Sequence, residues 1–362
     1  MGCCESQPTG VGADVKGPAV LADKYYPEYI KDPSKIKDLT GKVALITGVS
    51  TASGLGYYIT KGLAFKGAAC VITVRTVSKG EAVKSQLETE LQSEGVTVPS
   101  ITVMKMDNCN FASVRSFAEE FKSKFDRLDI LCNNAGVMAL PYELTGDGFE
   151  VQVQTNHLSH FLMTALLWPL IKQTAETHGE VAINQVSSGA STFGSPSVDT
   201  KNLNNQHPPH GMLLGLAPCI IGGKTDMWAR YGQSKLCNYL FAMELQRRAD
   251  AAGLSEKVRS TCAHPGLAAT NLQMTTQQQG GMKDGQGLQK RGHSCADGSL
   301  PMLMALAHPT LSAPGVYYGP EQNMTGPPMK GAPQTNKNAH DTRLAAALWE
   351  ASEKACAETF AV

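Results

Sequence analysis

The chain has 362 residues, 42% of them hydrophobic, with 32 basic and 32 acidic side chains. This composition is typical of a globular protein with one large or two small hydrophobic cores. A formal net charge of zero without a basic stripe argues against a nucleic-acid partner, and no apolar run reaches the ~20 residues of a membrane-spanning helix. The ten cysteines lack paired or metal-ligand spacing, so we expect buried free thiols and no metal site.

The first residues, MGCCES, form a pattern for lipid attachment. Gly2 would follow the removed initiator Met, Ser6 completes the myristoylation pattern, and Cys3 and Cys4 are placed for palmitoylation. One myristoyl chain binds a bilayer only marginally, whereas a second acyl chain makes the anchoring stable. We therefore expect a lipid anchor at the cytoplasmic face of a membrane, with an unanchored cytoplasmic protein as the alternative.

The segment that follows combines Gly, Pro and mixed charges without a strong period, and it includes one aromatic patch, Tyr25–Tyr26–Pro27. It has neither the apolar region of a secretory signal nor the Arg-rich character of a transit peptide. We therefore predict that residues 1–39 are an acylated flexible tether and that residues 40–362 are a single domain.

From Gly41 onward, short apolar runs alternate with amphipathic segments. The predicted strands are Val43–Ile46, Ala69–Val74, Ile101–Met106, Leu128–Cys132, Glu180–Val186, Val258–Ala263 and Gly315–Tyr318. The predicted helices include one that ends at Phe65, then Phe111–Phe125, Gly148–Thr177, Ala296–Ala307 and Arg343–Glu358. This alternation predicts an α/β fold with one doubly wound, Rossmann-like parallel sheet of about seven strands flanked by helices, which binds ligands at the carboxyl ends of its strands.

The first predicted strand leads into a glycine-rich turn, TGVSTASGLG, and then into a helix. Glycines in such a turn let backbone N–H groups approach a pyrophosphate, and the helix N-terminus supplies partial positive charge. An ordinary strand-to-helix turn is the alternative. The candidate cofactor residues in this turn are Thr47, Gly48, Ser50, Gly54, Leu55 and Gly56.

The end of the second strand bears on the choice between NAD(H) and NADP(H). A carboxylate there would bond the adenosine ribose, whereas an arginine would accept a 2′-phosphate. The sequence has Arg75 and no carboxylate at this point, with Lys79 close behind. We therefore predict NADP(H) as the cofactor, although a solvated Arg75 at a strand end is the alternative.

The next two strands also end in candidate cofactor residues. A carboxylate after the third strand can meet the adenine amino group, and small residues after the fourth let the chain pass close to a cofactor. These candidates are Asp107, Asn108, Asn134, Ala135 and Gly136.

Tyr231 and Lys235 are four residues apart in a predicted helix, a spacing that places both side chains on one face. A neighbouring ammonium lowers the pKa of a phenol from its ordinary value of about 10. The pair can therefore act as a general acid and base near neutral pH. A surface Tyr and Lys on an amphipathic helix is the alternative.

Two long segments near this helix have the character of lids. Residues 189–227 are rich in Pro, Gly, Asn and His around an apolar piece, Met212–Ile221, and a loop of this length usually covers or binds something. Residues 267–296 contain the Gln- and Gly-rich stretch Gln273–Gly292, which we predict to be a mobile lid.

Taken in order, these residues resemble the short-chain dehydrogenase/reductase family. The shared motifs are Thr47–Gly56, Asn133–Gly136, Asn156, the serine after strand five, the Tyr231 and Lys235 pair and Pro265–Gly266. Asn156–Phe161, Tyr231–Asn238, His264–Gly266 and Leu348–Glu353 are similar to the retinol dehydrogenase and WW-domain oxidoreductase branch, with protochlorophyllide reductases as near relatives. One departure is that five residues, rather than the family's three, separate Gly48 from Gly54.

The resemblance implies a role for each matching residue. Tyr231 would exchange a proton with the substrate oxygen, which Ser188, or failing that Ser187, would hold by a hydrogen bond. Lys235 would hold the nicotinamide ribose and lower the pKa of Tyr231, and Asn156 would organise a proton-relaying water. The resemblance also implies cofactor contacts from Tyr231, Lys235, Pro265, Gly266 and Thr270.

The predicted function is an NADP(H)-dependent interconversion of a lipophilic alcohol and its carbonyl compound, such as a retinoid, a steroid or a fatty aldehyde. Two alternatives remain open. One is a reductase of a tetrapyrrole or other pigment on the same scaffold, and the other is a non-catalytic scaffold that senses the cofactor at a membrane. The sequence leaves the oligomeric state open, with a dimer among the options.

Overall fold

The computed structural model describes residues 17–192, 195–209, 224–310 and 316–362. The predicted lipid-attachment residues Gly2, Cys3 and Cys4 and the apolar piece Met212–Ile221 lie outside these ranges. Within them, no helix is both long enough and apolar enough to cross a bilayer.

A single sheet forms the centre of the molecule. Its strands are β1 (Val43–Ile46), β2 (Ala69–Val74), β3 (Ile101–Lys105), β4 (Ile130–Asn133), β5 (Val181–Val186), β6 (Val258–Ala263), β7 (Tyr317–Pro320) and β8 (Pro328–Lys330). They lie in the order β3-β2-β1-β4-β5-β6-β7-β8, and only the β7–β8 pair is antiparallel. The predicted doubly wound α/β fold is therefore confirmed, with eight strands in place of about seven.

Helices cover both faces of this sheet. They are α1 (Tyr26–Lys31), α2 (Leu55–Phe65), α3 (Val77–Ser93), α4 (Phe111–Lys124), α5 (Val151–Val153), α6 (Ser159–His178), α7 (Thr225–Ala251), α8 (Asn271–Gln278), α9 (Gly285–Gln289), α10 (Cys295–Ala307) and α11 (Thr342–Cys356). Each strand contributes side chains to both helical layers, because alternate side chains point to opposite faces of the sheet. Leu45 packs with α4, α6, α7 and α11, whereas Ala44 and Ile46 pack with α1, α2 and α10.

The predicted long helix over residues 148–177 has a break near its start. The carboxylate of Glu150 accepts the N–H groups of Gln152 and Val153, each at 2.9 Å, so that α5 begins there. A π-helical turn, Gln154–Leu158, then joins α5 to α6. Such turns are rare and often mark functional sites. This one contains Asn156, the polar residue that the sequence had placed inside a helix.

The prediction of a flexible tether up to residue 39 is wrong for its second half. The buried carboxylate of Asp297, in the first turn of α10, accepts the N–H groups of Lys24, Tyr25 and Tyr26, each at 2.9 Å. Ile30, in α1, is also buried against the domain. These contacts fix the chain from residue 24 onward, and an aromatic patch inside a polar segment was the only sign of them in the sequence.

Residues 267–296, which we refer to as the lid, are also more regular than expected. The predicted mobile stretch Gln273–Gly292 contains most of α8 and all of α9. Thr270 caps α8 by accepting the N–H of Leu272, and Asp284 caps α9 by accepting the N–H of Gly287. The glutamines that suggested a solvated loop in fact bond to one another and to the backbone.

The C-terminal residues pack onto the helical layer that contains α6 and α7. Trp349 and Phe360 form an aromatic cluster with Phe161 and Phe241 of α6 and α7. The guanidinium of Arg115 in α4 donates to the carbonyl oxygen of Cys356 at 2.7 Å. The end of the chain is therefore part of the helical layer that contains α4, α6 and α7.

Candidate active site

The glycine-rich turn after β1 packs directly against the turn after β4. Gly48 has a φ of +73°, and a Cβ there would lie 2.8 Å from the Cα of Ala135. The hydroxyl oxygen of Thr47 accepts the N–H groups of Asn134 and Ala135, each at 2.9 Å. Glycine is therefore required at position 48, and the two turns hold each other in place.

The five-residue spacing between Gly48 and Gly54 is accommodated by one extra turn. The N–H of Gly54 donates to the carbonyl oxygen of Thr51 at 3.3 Å, and α2 begins directly afterwards at Leu55. The first N–H groups of a helix have no partner within the helix. The N-terminus of α2 therefore keeps its capacity to bind a phosphate in spite of the longer turn.

These turns form one wall of a cleft of about 350 Å³ at the carboxyl ends of the strands. The predicted cofactor residues that line it are Gly48, Ser50, Gly54, Leu55, Arg75, Asp107, Asn108, Asn134, Ala135, Gly136 and Thr270. Thr47 and Gly56 lie behind this surface and shape it. Lining residues that are not among the predicted ones include Thr51, Cys109, Met138, Thr155, Asn271, Leu272 and Thr275.

The cleft suits a dinucleotide, which carries its pyrophosphate at its centre. Arg75 and Lys79 line one end, the helix N-terminus lies in the middle, and Thr270 lies at the far end. A Cβ on Gly56 would lie 2.8 Å from the side-chain nitrogen of Asn134, so the close backbone approach depends on glycine there too. Cations, free amides and small residues are the groups that an anionic cofactor requires.

Tyr231 lies in α7 at the wall of a second cavity. Its phenol is buried, and burial raises its pKa to about 12, although a hydrogen bond with the Ser188 hydroxyl acts in the opposite direction. The Lys235 Nζ is 5.9 Å from the centre of the Tyr231 ring. The expectation that Lys235 lowers the pKa of Tyr231 is therefore wrong for this structure, because burial dominates and the ammonium faces elsewhere.

Lys235 is directed towards the end of β5 and the turn after β4. Its Nζ donates to the carbonyl oxygen of Val186 at 2.9 Å, and burial lowers its pKa to about 8. A Cβ on Gly136 would lie 3.3 Å from Nζ. Gly136 lines the cofactor cleft, so Lys235 lies directly behind the cleft wall and only a glycine separates them.

The two serines after β5 have different partners. The hydroxyl of Ser187 is buried and donates to the backbone oxygen of Lys235 at 2.8 Å. Ser188 and Tyr231 both line the second cavity, and the Ser188 hydroxyl acts to lower the pKa of the Tyr231 phenol. The geometry therefore fits the choice of Ser188 over Ser187 as the residue beside the substrate oxygen.

The Asn156 side chain is fully engaged. Its carbonyl oxygen accepts the N–H of Val137 at 2.8 Å, and its amide donates to the oxygen of Val137 at 3.0 Å and to Ser234 at 2.9 Å. It therefore ties the turn after β4 to α7. The organisation of a water by Asn156 stays a prediction.

The second cavity has a volume of about 310 Å³ and a largely apolar lining. Its lining residues include Ala190, Trp228, Tyr231, Pro265, Gly266, Leu267, Met282, Leu288 and Met324. Gly266 has a φ of +66°, and a Cβ there would lie 2.4 Å from the oxygen of Met324. Leu55, Met138, Thr270 and Leu272 line both cavities, so the two spaces meet beside Tyr231.

Among the described residues, no group of three or more His, Cys, Asp or Glu side chains is arranged to hold a metal ion. The cysteines in these ranges are buried and form no disulfides.

This architecture is that of a dinucleotide-dependent oxidoreductase, and comparison with known proteins gives the family. A model of the short chain dehydrogenase family matches residues 42–200. The short-chain dehydrogenase/reductase drtF of Aspergillus calidoustus is 30% identical over 332 residues, which cover 89% of this chain and 96% of that protein. The chain therefore belongs to the short-chain dehydrogenase/reductase family.

Two further relatives show the branch that the motifs indicated. An uncharacterized oxidoreductase of Schizosaccharomyces pombe is 39% identical over 240 residues, or 66% of this chain and 63% of that protein. Human retinol dehydrogenase 11 is 36% identical over 234 residues, or 65% of this chain and 63% of the enzyme. The chain thus spans less than two thirds of the length of these two relatives. The resemblance to retinol dehydrogenases is confirmed.

A solved structure shows that the likeness extends beyond the matched segment. The crystal structure of an uncharacterized protein from Mycobacterium paratuberculosis is 29% identical to this chain, with a TM-score of 0.67. It covers 90% of this chain and 97% of that chain. The similarity therefore extends well beyond residues 42–200.

Proposed function

We propose that the chain is an NADP(H)-dependent oxidoreductase that interconverts a lipophilic alcohol and its carbonyl compound by hydride transfer. One observation carries this proposal: a polar cleft suited to a dinucleotide meets an apolar cavity beside the hydroxyls of Tyr231 and Ser188. The bound nicotinamide would supply the hydride, and the protein would position it and exclude water.

The preference for NADP(H) rests on the adenosine end of the cleft. Arg75 and Lys79 line that end, and no carboxylate stands at the end of β2. An arginine forms charge-assisted and often bidentate bonds with a phosphate. The 2′-phosphate that distinguishes NADP(H) would therefore meet two cations, whereas NAD(H) has no phosphate at this position.

The protonation state of Tyr231 supports a role as an acid. With a pKa of about 12, the phenol keeps its proton at neutral pH, so it can donate to the oxygen of a carbonyl substrate. Ser188 lies beside it and can hold the same oxygen by a hydrogen bond. Lys235, behind Gly136, would face the ribose of a cofactor bound in the cleft. This arrangement offers the proton that reduction of a carbonyl compound requires.

The substrate class follows from the lining of the second cavity. Trp228, Met282, Leu288 and Met324 offer few polar partners, so a substrate with many hydroxyls or charges would lose hydration without compensation. A compound with a single reactive oxygen and an extended hydrocarbon body fits this lining. Retinol, on which the named retinol dehydrogenase acts, belongs to this chemical class.

Exchange of Tyr231 for Phe tests the proposal. The change removes the proton donor and little volume, so turnover of NADPH with a retinal, steroid or fatty aldehyde panel should fall at least ~10²-fold. Tyr239→Phe, eight positions further along the same helix, is the matched control and should retain turnover. Near-normal activity in Tyr231→Phe would contradict the assignment. Lack of turnover with either cofactor in the unmodified protein would favour the non-catalytic scaffold.

We also propose that acyl chains on Gly2, Cys3 and Cys4 hold the protein at a membrane. Two kinds of acyl site stand together in the sequence, and the proposed substrate is lipophilic. A lipid bilayer would then supply the substrate to the apolar cavity. This part of the proposal rests on the sequence motif and has its own test in the Discussion.

A further inference from the structure

A buried glutamine in the lid connects the N-terminal segment to the junction of the two cavities. Gln289 is fully buried. Its Nε2 donates to the backbone oxygen of Thr270 at 2.6 Å and to Oε1 of Gln273 at 3.2 Å. Thr270 is one of the residues that line both cavities. The position of Thr270 therefore depends on a side chain nineteen residues further along the chain.

The orientation of this amide is set from outside the lid. The N–H of Ala19 donates to Oε1 of Gln289 at 2.7 Å. A backbone N–H can only donate, so it requires the oxygen of the amide to face Ala19. The nitrogen must then face Thr270 and Gln273. The Ala19 N–H and the Thr270 carbonyl oxygen therefore fix the same orientation of the Gln289 amide from its two ends.

The segment that carries Ala19 is held at both of its ends. We refer to Gly17–Tyr26 as the strap. Gln286 of α9 donates to the oxygen of Gly17 at 3.0 Å, and Asp297 holds the other end through three backbone N–H groups. A buried carboxylate with three donors is a strong fixed point. The strap is thus tied to α9 and α10, on either side of Gln289.

Gln273 closes the network on the side of the active site. Its Nε2 donates to the oxygen of Ala268 at 2.9 Å, and its Oε1 accepts from the hydroxyl of Thr270 at 2.8 Å. The Thr270 hydroxyl and carbonyl are therefore both held by glutamines. Rotation of the Gln289 amide would place two oxygens against each other at Thr270 and would leave the Ala19 N–H without this acceptor, so the strap and the lid hold the amide in one orientation.

We propose that Gln289 is a positioning residue for the nicotinamide end of the cofactor. The strap then contributes to the geometry of the active site, because it holds this amide. The proposal rests on the proposed cofactor binding, since Thr270 is expected to touch the cofactor. It predicts that a substitution in the strap, more than two hundred residues before the lid in sequence, weakens binding of the nicotinamide end of the dinucleotide.

The test removes a single hydrogen-bond donor. Ala19→Pro deletes the N–H that Gln289 accepts, and Val20→Pro is the matched control. The Val20 side chain is fully exposed, and its N–H has no partner among the described residues. Ala19→Pro should weaken NADPH binding about fivefold while binding of 2′,5′-ADP, which lacks the nicotinamide half, stays unchanged. Gln289→Leu should give the same split, and the double variant should add little to it.

Amide hydrogen exchange of the protein without cofactor gives a second readout. Residues 267–290 should exchange about tenfold faster in Ala19→Pro than in Val20→Pro. Equal weakening of NADPH and 2′,5′-ADP would show general destabilisation and overturn the proposal. Unchanged lid exchange in Ala19→Pro would also overturn it. If the unmodified protein binds neither NADPH nor NADH, the proposed function fails, and the exchange comparison still decides whether the strap orders the lid.

Discussion

Lys235 is joined to Val186 by a hydrogen bond of 2.9 Å from its Nζ to the backbone oxygen at the end of β5. The hydroxyl of the next residue, Ser187, donates back to the oxygen of Lys235 at 2.8 Å. These reciprocal bonds fix α7 against the end of β5, beside the cleft proposed to bind the cofactor. They also hold the ammonium away from the phenol of Tyr231 and towards the wall of the cleft.

The first prediction concerns the alkaline limit of activity. The pKa of Lys235 is lowered by burial to about 8, whereas that of Tyr231 is raised to about 12. Below pH 8 the ammonium is charged and can hold the cofactor ribose, and this charge is lost as pH rises through that value. We expect kcat/KM for carbonyl reduction to fall above about pH 8.

A pH profile from about 6 to 11.5 checks this expectation. Lys235→Met should lower activity throughout and abolish the limb near pH 8, whereas Lys224→Met, at the exposed start of α7, should keep the profile of the unmodified protein. A limb close to the ordinary lysine pKa of about 10.5 would show that burial of Lys235 does not control the reaction.

The second prediction concerns the choice of cofactor. Arg75→Ala should raise the Kd for NADPH by at least about tenfold, because a charge-assisted contact with the 2′-phosphate is lost. The Kd for NADH should change much less. Titration of both cofactors into both proteins measures the difference, and an equal change for the two cofactors would sink the idea that Arg75 selects the phosphate.

The third prediction concerns stability in acid. Burial lowers the pKa of His157 to about 3 and that of His160 to about 4, so both are neutral in the folded protein. The unfolded chain binds protons below the ordinary pKa of 6.5, and the folded protein does not. Stability is therefore full above pH 6.5 and falls by roughly 1.4 kcal/mol per pH unit per histidine below it.

Urea unfolding between pH 7 and 4.5 measures this slope. His157→Gln should make the loss of stability with acid smaller, because the amide can still donate to Ser352 but does not titrate. His178→Gln, at the exposed end of α6, is the control and should leave the slope unchanged. Equal slopes in His157→Gln and the unmodified protein would assign the acid sensitivity to other groups.

The fourth prediction concerns the proposed lipid anchor. Gly2→Ala removes the myristoylation site and should release the protein into the soluble fraction of cells. Cys3→Ser with Cys4→Ser should leave weak, reversible binding, because one myristoyl chain is marginal. Cell fractionation compares the three forms. A Gly2→Ala protein that stays as membrane-bound as the unmodified one would place the anchor elsewhere in the chain.

The sequence predicted the sheet well because its central strands are continuous apolar runs. Val43–Ile46 and Ala69–Val74 match the observed strands at both ends, since buried parallel strands need apolar side chains on both faces. The eighth strand escaped notice because it has three residues, begins with Pro328 and lies at the sheet edge. A helix such as α3, with few apolar residues, gave no clear period either.

The site was predictable where a residue type has one strong chemical reason to be there. Gly48, Arg75, Gly136 and Tyr231 line or shape the two cavities. What could not be predicted depends on tertiary contacts. The pKa of Tyr231 is set by burial and not by the sequence neighbour Lys235.

The same limit applies to the N-terminal segment and the lid. The strap and the Gln-rich lid looked like solvated chain because each is polar. Their hydrogen bonds reach partners such as Asp297 and Thr270 that no local pattern connects with them.

The contacts at the two ends of the chain have a consequence for biosynthesis. Tyr26 needs Asp297, 271 positions later, and Arg115 needs Cys356, 241 positions later. While the ribosome still holds Trp349 and Phe360, one helical layer lacks these two residues, and the apolar side chains that they cover on α6 and α7 stay exposed. A nascent chain therefore completes this layer only after residue 360 has left the ribosome, and until then it exposes surface that a chaperone can bind.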